Sequence, residues 1–154
     1  MRRTIKTLLL AAATLGVFGG TGMGLFSKLI LFSPVEGTVT LNGEPAAGAE
    51  IIQSANWNKT GETLQQKTTT DSAGRYSLAA IQQSAGLSRL SASQEIIKQS
   101  ITISYKGKTY EGWKFMKNDY EMNSENKGKP LRLKCDLATK ADYVDYYYGV
   151  CRLS

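Results

Sequence analysis

The sequence predicts an all-β fold, an antiparallel two-sheet sandwich over residues 29–154, preceded by an N-terminal apolar helix. Three observations carry that reading. Turn-forming residues recur at intervals of roughly 8 to 12 positions after Leu29. The segments between them alternate apolar and polar residues with a period of two, and nothing beyond Phe26 sustains a 3.6-residue period.

Residues 1–28 stand apart from the sandwich. Arg2, Arg3 and Lys6 precede an uncharged apolar run from Thr7 to Phe26, the order of charge and then hydrocarbon found in export signals. The positive end is expected to stay in the cytoplasm while the rest of the chain crosses. Two outcomes remain open: cleavage near Gly22 or Gly24, or retention of residues 7–26 as a membrane anchor, since the run is about as long as a bilayer is thick and has no Ala-x-Ala site. No cysteine lies near the segment, so a lipid anchor on an N-terminal cysteine is not expected.

Each later element is marked by its own turn. Val35 to Leu41 alternates and runs into Asn42-Gly43, a dipeptide suited to the positive φ angles of a tight hairpin. Glu44 to Gly48 gives a proline-led turn before an apolar strand at Ala49 to Gln53. Lys67 to Thr70, the turn Asp71-Ser72-Ala73-Gly74 and Arg75 to Leu78 read as a second hairpin, with Asp71 first in the turn and Gly74 at positive φ. A short helix could lie between Ala79 and Ser91, where Leu78, Ile81 and Leu87 give a brief apolar face. Ile101 to Tyr105, Lys106-Gly107 and Lys108 to Trp113 form a third hairpin. In Leu131 to Leu137 the period of two assigns Leu131, Leu133, Cys135 and Leu137 to the buried face.

The run from Val35 to Ile51, with Gly37, Pro45, Gly48 and Ala49, followed by Thr68-Thr69-Thr70-Asp71-Ser72-Ala73-Gly74-Arg75-Tyr76, resembles the carboxypeptidase regulatory-like domain. The resemblance covers residues 33 to about 80. Leu31 to Val35, Asn123-Ser124-Glu125 and the Lys134-Cys135-Asp136-Leu137 strand are also similar to a group of short proteobacterial proteins. Strand number and turn spacing point to an Ig-like or transthyretin-like sandwich, and the resemblance implies a prealbumin-like one serving as an accessory, adhesive or scaffolding module, with no peptidase activity of its own.

Composition argues against catalysis. The chain has no histidine, which removes the commonest general base near neutral pH, the Ser-His and Cys-His pairs and the commonest zinc ligand. No catalytic, cofactor-binding or metal-binding residue is therefore assigned, and no cofactor is expected. Asp119, Glu121 and Glu125 lack the dense spacing of a calcium loop and read as a solvated acidic loop. Asp71 reads as a turn residue bonding the backbone two positions on. The net charge of +6 does not indicate a nucleic-acid partner, because without Arg2, Arg3 and Lys6 there remain 16 basic residues against 13 acidic ones, spread along the chain.

Recognition is left to aromatic side chains. Trp57 lies in a polar stretch and belongs either to the core or to a binding surface. In the tail, Tyr146, Tyr148 and Val150 fall on one strand face and Tyr143, Tyr147 and Cys151 on the other, so that one face packs and the other can contact a partner. Trp57, Tyr143, Tyr146, Tyr147 and Tyr148 are thus the candidate partner-binding residues. Cys135 and Cys151 are expected to form a disulfide, since an exported chain with an even cysteine count and no metal-type spacing is oxidised by default. The function expected is a non-catalytic envelope binding or scaffolding module with a protein partner. The alternative is a periplasmic inhibitor or immunity-type protein that occludes a toxin or enzyme.

Overall fold

The structure, a computed structural model, describes residues 28–86 and 94–154. The apolar helix, the signal or anchor and its candidate cleavage sites lie outside the described residues. Among the described residues no helix is long and apolar enough to cross a membrane.

Two sheets enclose one core. The larger has six strands in the order β11 (Asp142–Val144), β12 (Tyr147–Gly149), β9 (Lys108–Lys117), β8 (Ile97–Tyr105), β4 (Glu50–Trp57), β5 (Thr63–Thr69). The smaller has β13 (Cys151–Leu153), β10 (Leu131–Asp136), β2 (Val35–Leu41) and, along the far side of β2, both β3 (Glu44–Pro45) and β6 (Arg75–Leu78). A two-stranded ribbon of β1 (Lys28–Phe32) and β7 (Ile81–Ser84) accompanies them. Inward side chains of both sheets, among them Val35, Val39, Ile51, Ile101, Trp113 and Leu133, form one buried cluster. Burying such a side chain is worth about 1.5–3 kcal/mol, and this cluster is where the fold gains its stability.

The turns fall where their residues place them. Asn42 and Gly43 take φ angles of 53° and 81° between β2 and β3, and Lys106 and Gly107 take 48° and 74° between β8 and β9. On β10 the buried face is Leu131, Leu133 and Cys135, with Leu137 following it, as the period of two requires. Strand β4 runs to Trp57 rather than stopping at Gln53, because Ser54 and Asn56 look outward while Ala55 and Trp57 continue the buried face.

Several expectations are corrected. The Asp71–Gly74 turn forms, with Gly74 N–H donating to Asp71 O at 2.9 Å, but it joins no hairpin. Strand β5 pairs with β4 in the large sheet and β6 with β2 in the small one, so the turn is a corner between sheets. Gly74 has φ 72°, and a Cβ there would lie 2.4 Å from the Val39 carbonyl oxygen. The helix expected between Ala79 and Ser91 is replaced at Ile81–Ser84 by β7, whose hydrogen-bonding partner β1 could not be seen from local periodicity, and residues 87–93 of that segment lie outside the described residues. The sandwich is not wholly antiparallel, since β2 and β10 pair in parallel from Val35↔Leu131 to Thr40↔Asp136.

The C-terminal tail passes from one sheet to the other. Strand β12 lies beside β9, and β13 lies beside β10. Between them Val150 N–H donates to Glu111 O at 2.9 Å. Gly149 makes the crossing possible: its φ is 149°, and a Cβ on it would stand 2.1 Å from the Gly112 carbonyl oxygen. Cys135 and Cys151 are directly opposite on β10 and β13 and form a disulfide with Cα atoms 3.9 Å apart.

Candidate functional site

The tyrosine tail is a hairpin, not one strand. Asp145, at φ 53°, turns the chain between β11 and β12, and the crossing at Gly149 interrupts it again. These two breaks reset the alternation, so the expected pairing of faces does not hold. Tyr147 is buried, stacked on Trp113 with ring centroids 4.2 Å apart, and its hydroxyl accepts from Leu153 N–H at 3.3 Å. Val150 and Cys151 are buried together. Tyr147 therefore fixes the hairpin to the core and adds little exposed surface to the groove it lines.

The remaining three rings reach solvent. Tyr143 is 75% exposed and Tyr146 39%. Tyr143 meets Tyr148 edge-on at 5.0 Å, and Tyr146 meets Phe115 at 5.8 Å. Ammonium groups lie over two of the rings, Lys114 over Tyr148 at 5.8 Å and Lys127 over Tyr146 at 5.4 Å, within the range of cation–π attraction.

The hairpin forms one wall of an open groove of about 930 Å³ on the solvent side of the large sheet. Its floor includes Ser54, Asn56, Lys98 and Ser100, and its walls include Tyr143 and Tyr148. Met116, 66% exposed, borders it, and Lys114 pairs with Glu111. The floor residues were not singled out from the sequence. Each is an ordinary outward-facing polar residue on its own strand, and only the register between strands gathers them.

Trp57 takes the core alternative. It is 2% exposed, its Nε1–H donates to the Tyr120 hydroxyl at 3.1 Å, and the two rings meet edge-on at 6.0 Å. It is removed from the partner-binding set because the strand carrying it is longer than its polar sequence suggested.

A second cluster was missed and is buried. Glu125, in a single-turn 3-10 helix at Ser124–Asn126, has no exposed surface, which overturns its reading as part of a solvated loop. Its Oε1 accepts from Ser33 N–H at 3.0 Å and from Gln99 Nε2 at 2.7 Å. Its Oε2 accepts from Ser33 Oγ–H at 2.7 Å and from the buried Lys117 ammonium at 3.2 Å. Lys117 also donates to Glu121 O at 2.5 Å and to Ser124 Oγ, with Asp119 Oδ1 at 3.3 Å. Gln53 Nε2 donates to Ser33 O at 3.2 Å. Among the described residues the Gln99 amide oxygen of this cluster has no hydrogen-bond partner. The signal in the sequence was Lys117 itself, which shares the inward parity of Trp113 and Phe115. With its acceptor sites filled by donors of the chain, Glu125 works as a tie between β1, β9 and the following loop. Among the described residues no group of three His, Cys, Asp or Glu could hold a metal ion.

Asp71 acts on its own turn. Its Oδ1 accepts from Ala73 and Arg75 N–H at 2.9 Å each, and the Arg75 backbone bond leads the causes that hold its carboxyl below the usual range despite some desolvation.

Residues 35–140 match a family model described as a domain of unknown function, DUF6795. No curated protein and no solved structure matches the chain.

Proposed function

We propose that this chain, which belongs to the DUF6795 family, is a non-catalytic binding module of the cell envelope that takes its partner on the tyrosine hairpin and the adjoining solvent face of the large sheet. The observation that carries this reading is the grouping of Tyr143, Tyr146, Tyr148 and Met116 around one groove, so that of the four exposed large apolar side chains among the described residues only Met122 lies outside it. The absence of histidine and the occupied partners of Glu125 and Lys117 support a role without chemistry. The Cys135–Cys151 disulfide points to an oxidising compartment. Together with the Arg2-Arg3 start and the apolar run after it, the bond supports export, with the sandwich either periplasmic after cleavage or anchored to the inner membrane and facing the periplasm. An accessory module of the carboxypeptidase regulatory-like kind would have this character.

A photo-crosslinking amino acid placed at Tyr143 tests the surface in intact cells. Illumination should give an adduct of higher mass, and the same group at Glu44, exposed on β3 of the other sheet, should give none. Equal adducts from both sites, or none from Tyr143, would remove the hairpin as the recognition surface.

A further inference from the structure

The outward residues of the large sheet are aligned across it in straight rows. Ser54 lies opposite Gln65 on one side and Ser100 on the other. Ser100 lies opposite Lys114, Lys114 opposite Tyr148, and Tyr148 opposite Tyr143. This row crosses all six strands. At ~4.8 Å between neighbouring strands it is ~24 Å long. Beside it runs a second row of Thr63, Asn56, Lys98 and Met116.

The chemistry of the rows limits what can lie on them. A protein partner is held best by a dry apolar centre, whereas this floor is polar: the Ser54 hydroxyl accepts from Gln65 Nε2 at 3.3 Å and the Asn56 amide donates to Thr63 Oγ1 at 2.9 Å, which leaves the Ser100 hydroxyl and the Lys98 ammonium to lose free energy on desolvation unless a ligand meets them. Nucleic acid calls for a basic stripe, and here Glu111 offsets Lys114. A glycan supplies hydroxyls that both donate and accept, its rings are about as long as the spacing between strands, and their C–H faces pack on tyrosine rings. Lys98, exposed and in no ion pair among the described residues, is placed to take an anionic substituent.

We propose that the row from Gln65 to Tyr143 is a binding track for a linear glycan carrying carboxylate groups, with Ser54 and Ser100 as its floor, Tyr148 and Tyr143 as its platform and Lys98 as the selector of charge. The proposal rests on the reading of the chain as a binding module and replaces the protein partner expected from sequence with a sugar polymer.

Calorimetric titration of the full-length chain with a β-1,4-linked uronic acid hexamer, a neutral hexasaccharide of the same linkage and hexaglutamate tests it. The uronate should saturate, the neutral sugar should bind about tenfold more weakly, and hexaglutamate should not bind at the same concentrations. Tyr143→Ala should weaken the uronate about tenfold, Ser100→Leu should abolish binding, and Lys98→Gln should bring the uronate to the level of the neutral sugar. All three sites face solvent, and a far-UV spectrum matching the parent shows that each variant is folded. Failure of both sugars, equal binding of hexaglutamate, or indifference to Ser100→Leu overturns the proposal. The crosslink at Tyr143 separates the two claims. An adduct that yields peptides of a second protein, with no sugar binding, sinks the glycan and keeps the binding module, and no adduct with no sugar binding sinks both.

Discussion

Glu125 lies 92 residues from Ser33 in the chain and accepts two hydrogen bonds from it, so one carboxylate ties the β1–β2 turn to the loop after β9. A buried pair of this kind adds little over apolar residues of the same shape, but removing one member leaves the other without compensation, at about 3–5 kcal/mol. Glu125→Ala should cost about 3 kcal/mol, the low end, because Asp119 still faces Lys117. Burial alone would raise the Glu125 pKa, and hydrogen bonds from Gln99 and Ser33 outweigh it and hold the carboxyl below its ordinary range. A carboxyl lowered in the folded state contributes fully above its unfolded value of ~4.3 and loses that contribution as pH falls through the folded one. Urea unfolding from about pH 6 to about pH 2 should therefore show the parent losing stability more steeply than Glu125→Gln, with the curves converging at the acid end. Parallel curves would assign the acid sensitivity to other groups. Lys117 could be read from its parity on β9. Its partner could not, because a loop residue meets it only after the tertiary fold has formed.

At the level of elements, turn chemistry was legible and pairing was not. Asn42-Gly43 and Lys106-Gly107 each fix the conformation of two residues, and the chain on either side has to reverse. Asp71 to Gly74 also fixes its turn, but which sheet receives β6 depends on β2, far upstream. The disulfide was legible from compartment and count, and its effect follows from the crossing at Gly149. It closes a separation of 16 residues around the whole tyrosine hairpin. A loop of this size is worth about 3 kcal/mol in the chain-entropy account. Cys135→Ser with Cys151→Ser should expose residues 142–153 to protease while β4, β8 and β9 stay protected. Alkylation of unreduced protein should leave both cysteines unmodified in the full-length chain and label both when residues 1–27 are deleted and the chain is made in the cytoplasm. Labelling of both in the full-length chain would remove the bond and the main support for an oxidising location.

For the molecule as a whole, alternation and turn spacing were enough to give two facing sheets around one core, since a period of two leaves every strand with one face to bury. They could not give the groove. A row such as Ser54, Ser100, Lys114, Tyr148 exists only through register, and register is set by contacts between strands distant in sequence. The parallel pairing of β2 with β10 has a further consequence, which concerns time. Synthesis proceeds from the N-terminus, so Val35 to Leu41 emerges long before Leu131 to Asp136. Until then one side of a central strand has no partner, and closing so long a loop is slow as well as entropically costly. The strands β4, β5, β8 and β9, joined through short local connections or one intervening segment, can assemble earlier. The small sheet is completed last, and the disulfide later still. Nascent chains arrested before Leu131 should be cut by protease around β2 yet protected across β8 and β9, and release of the last residues should close β2 to attack. Protection of β2 in the arrested chain would mean that β6 alone suffices to hold it. Strand β2 therefore keeps one side open until Leu131 to Asp136 have been made, so that the time taken to synthesise the strands between them becomes part of the folding of the small sheet.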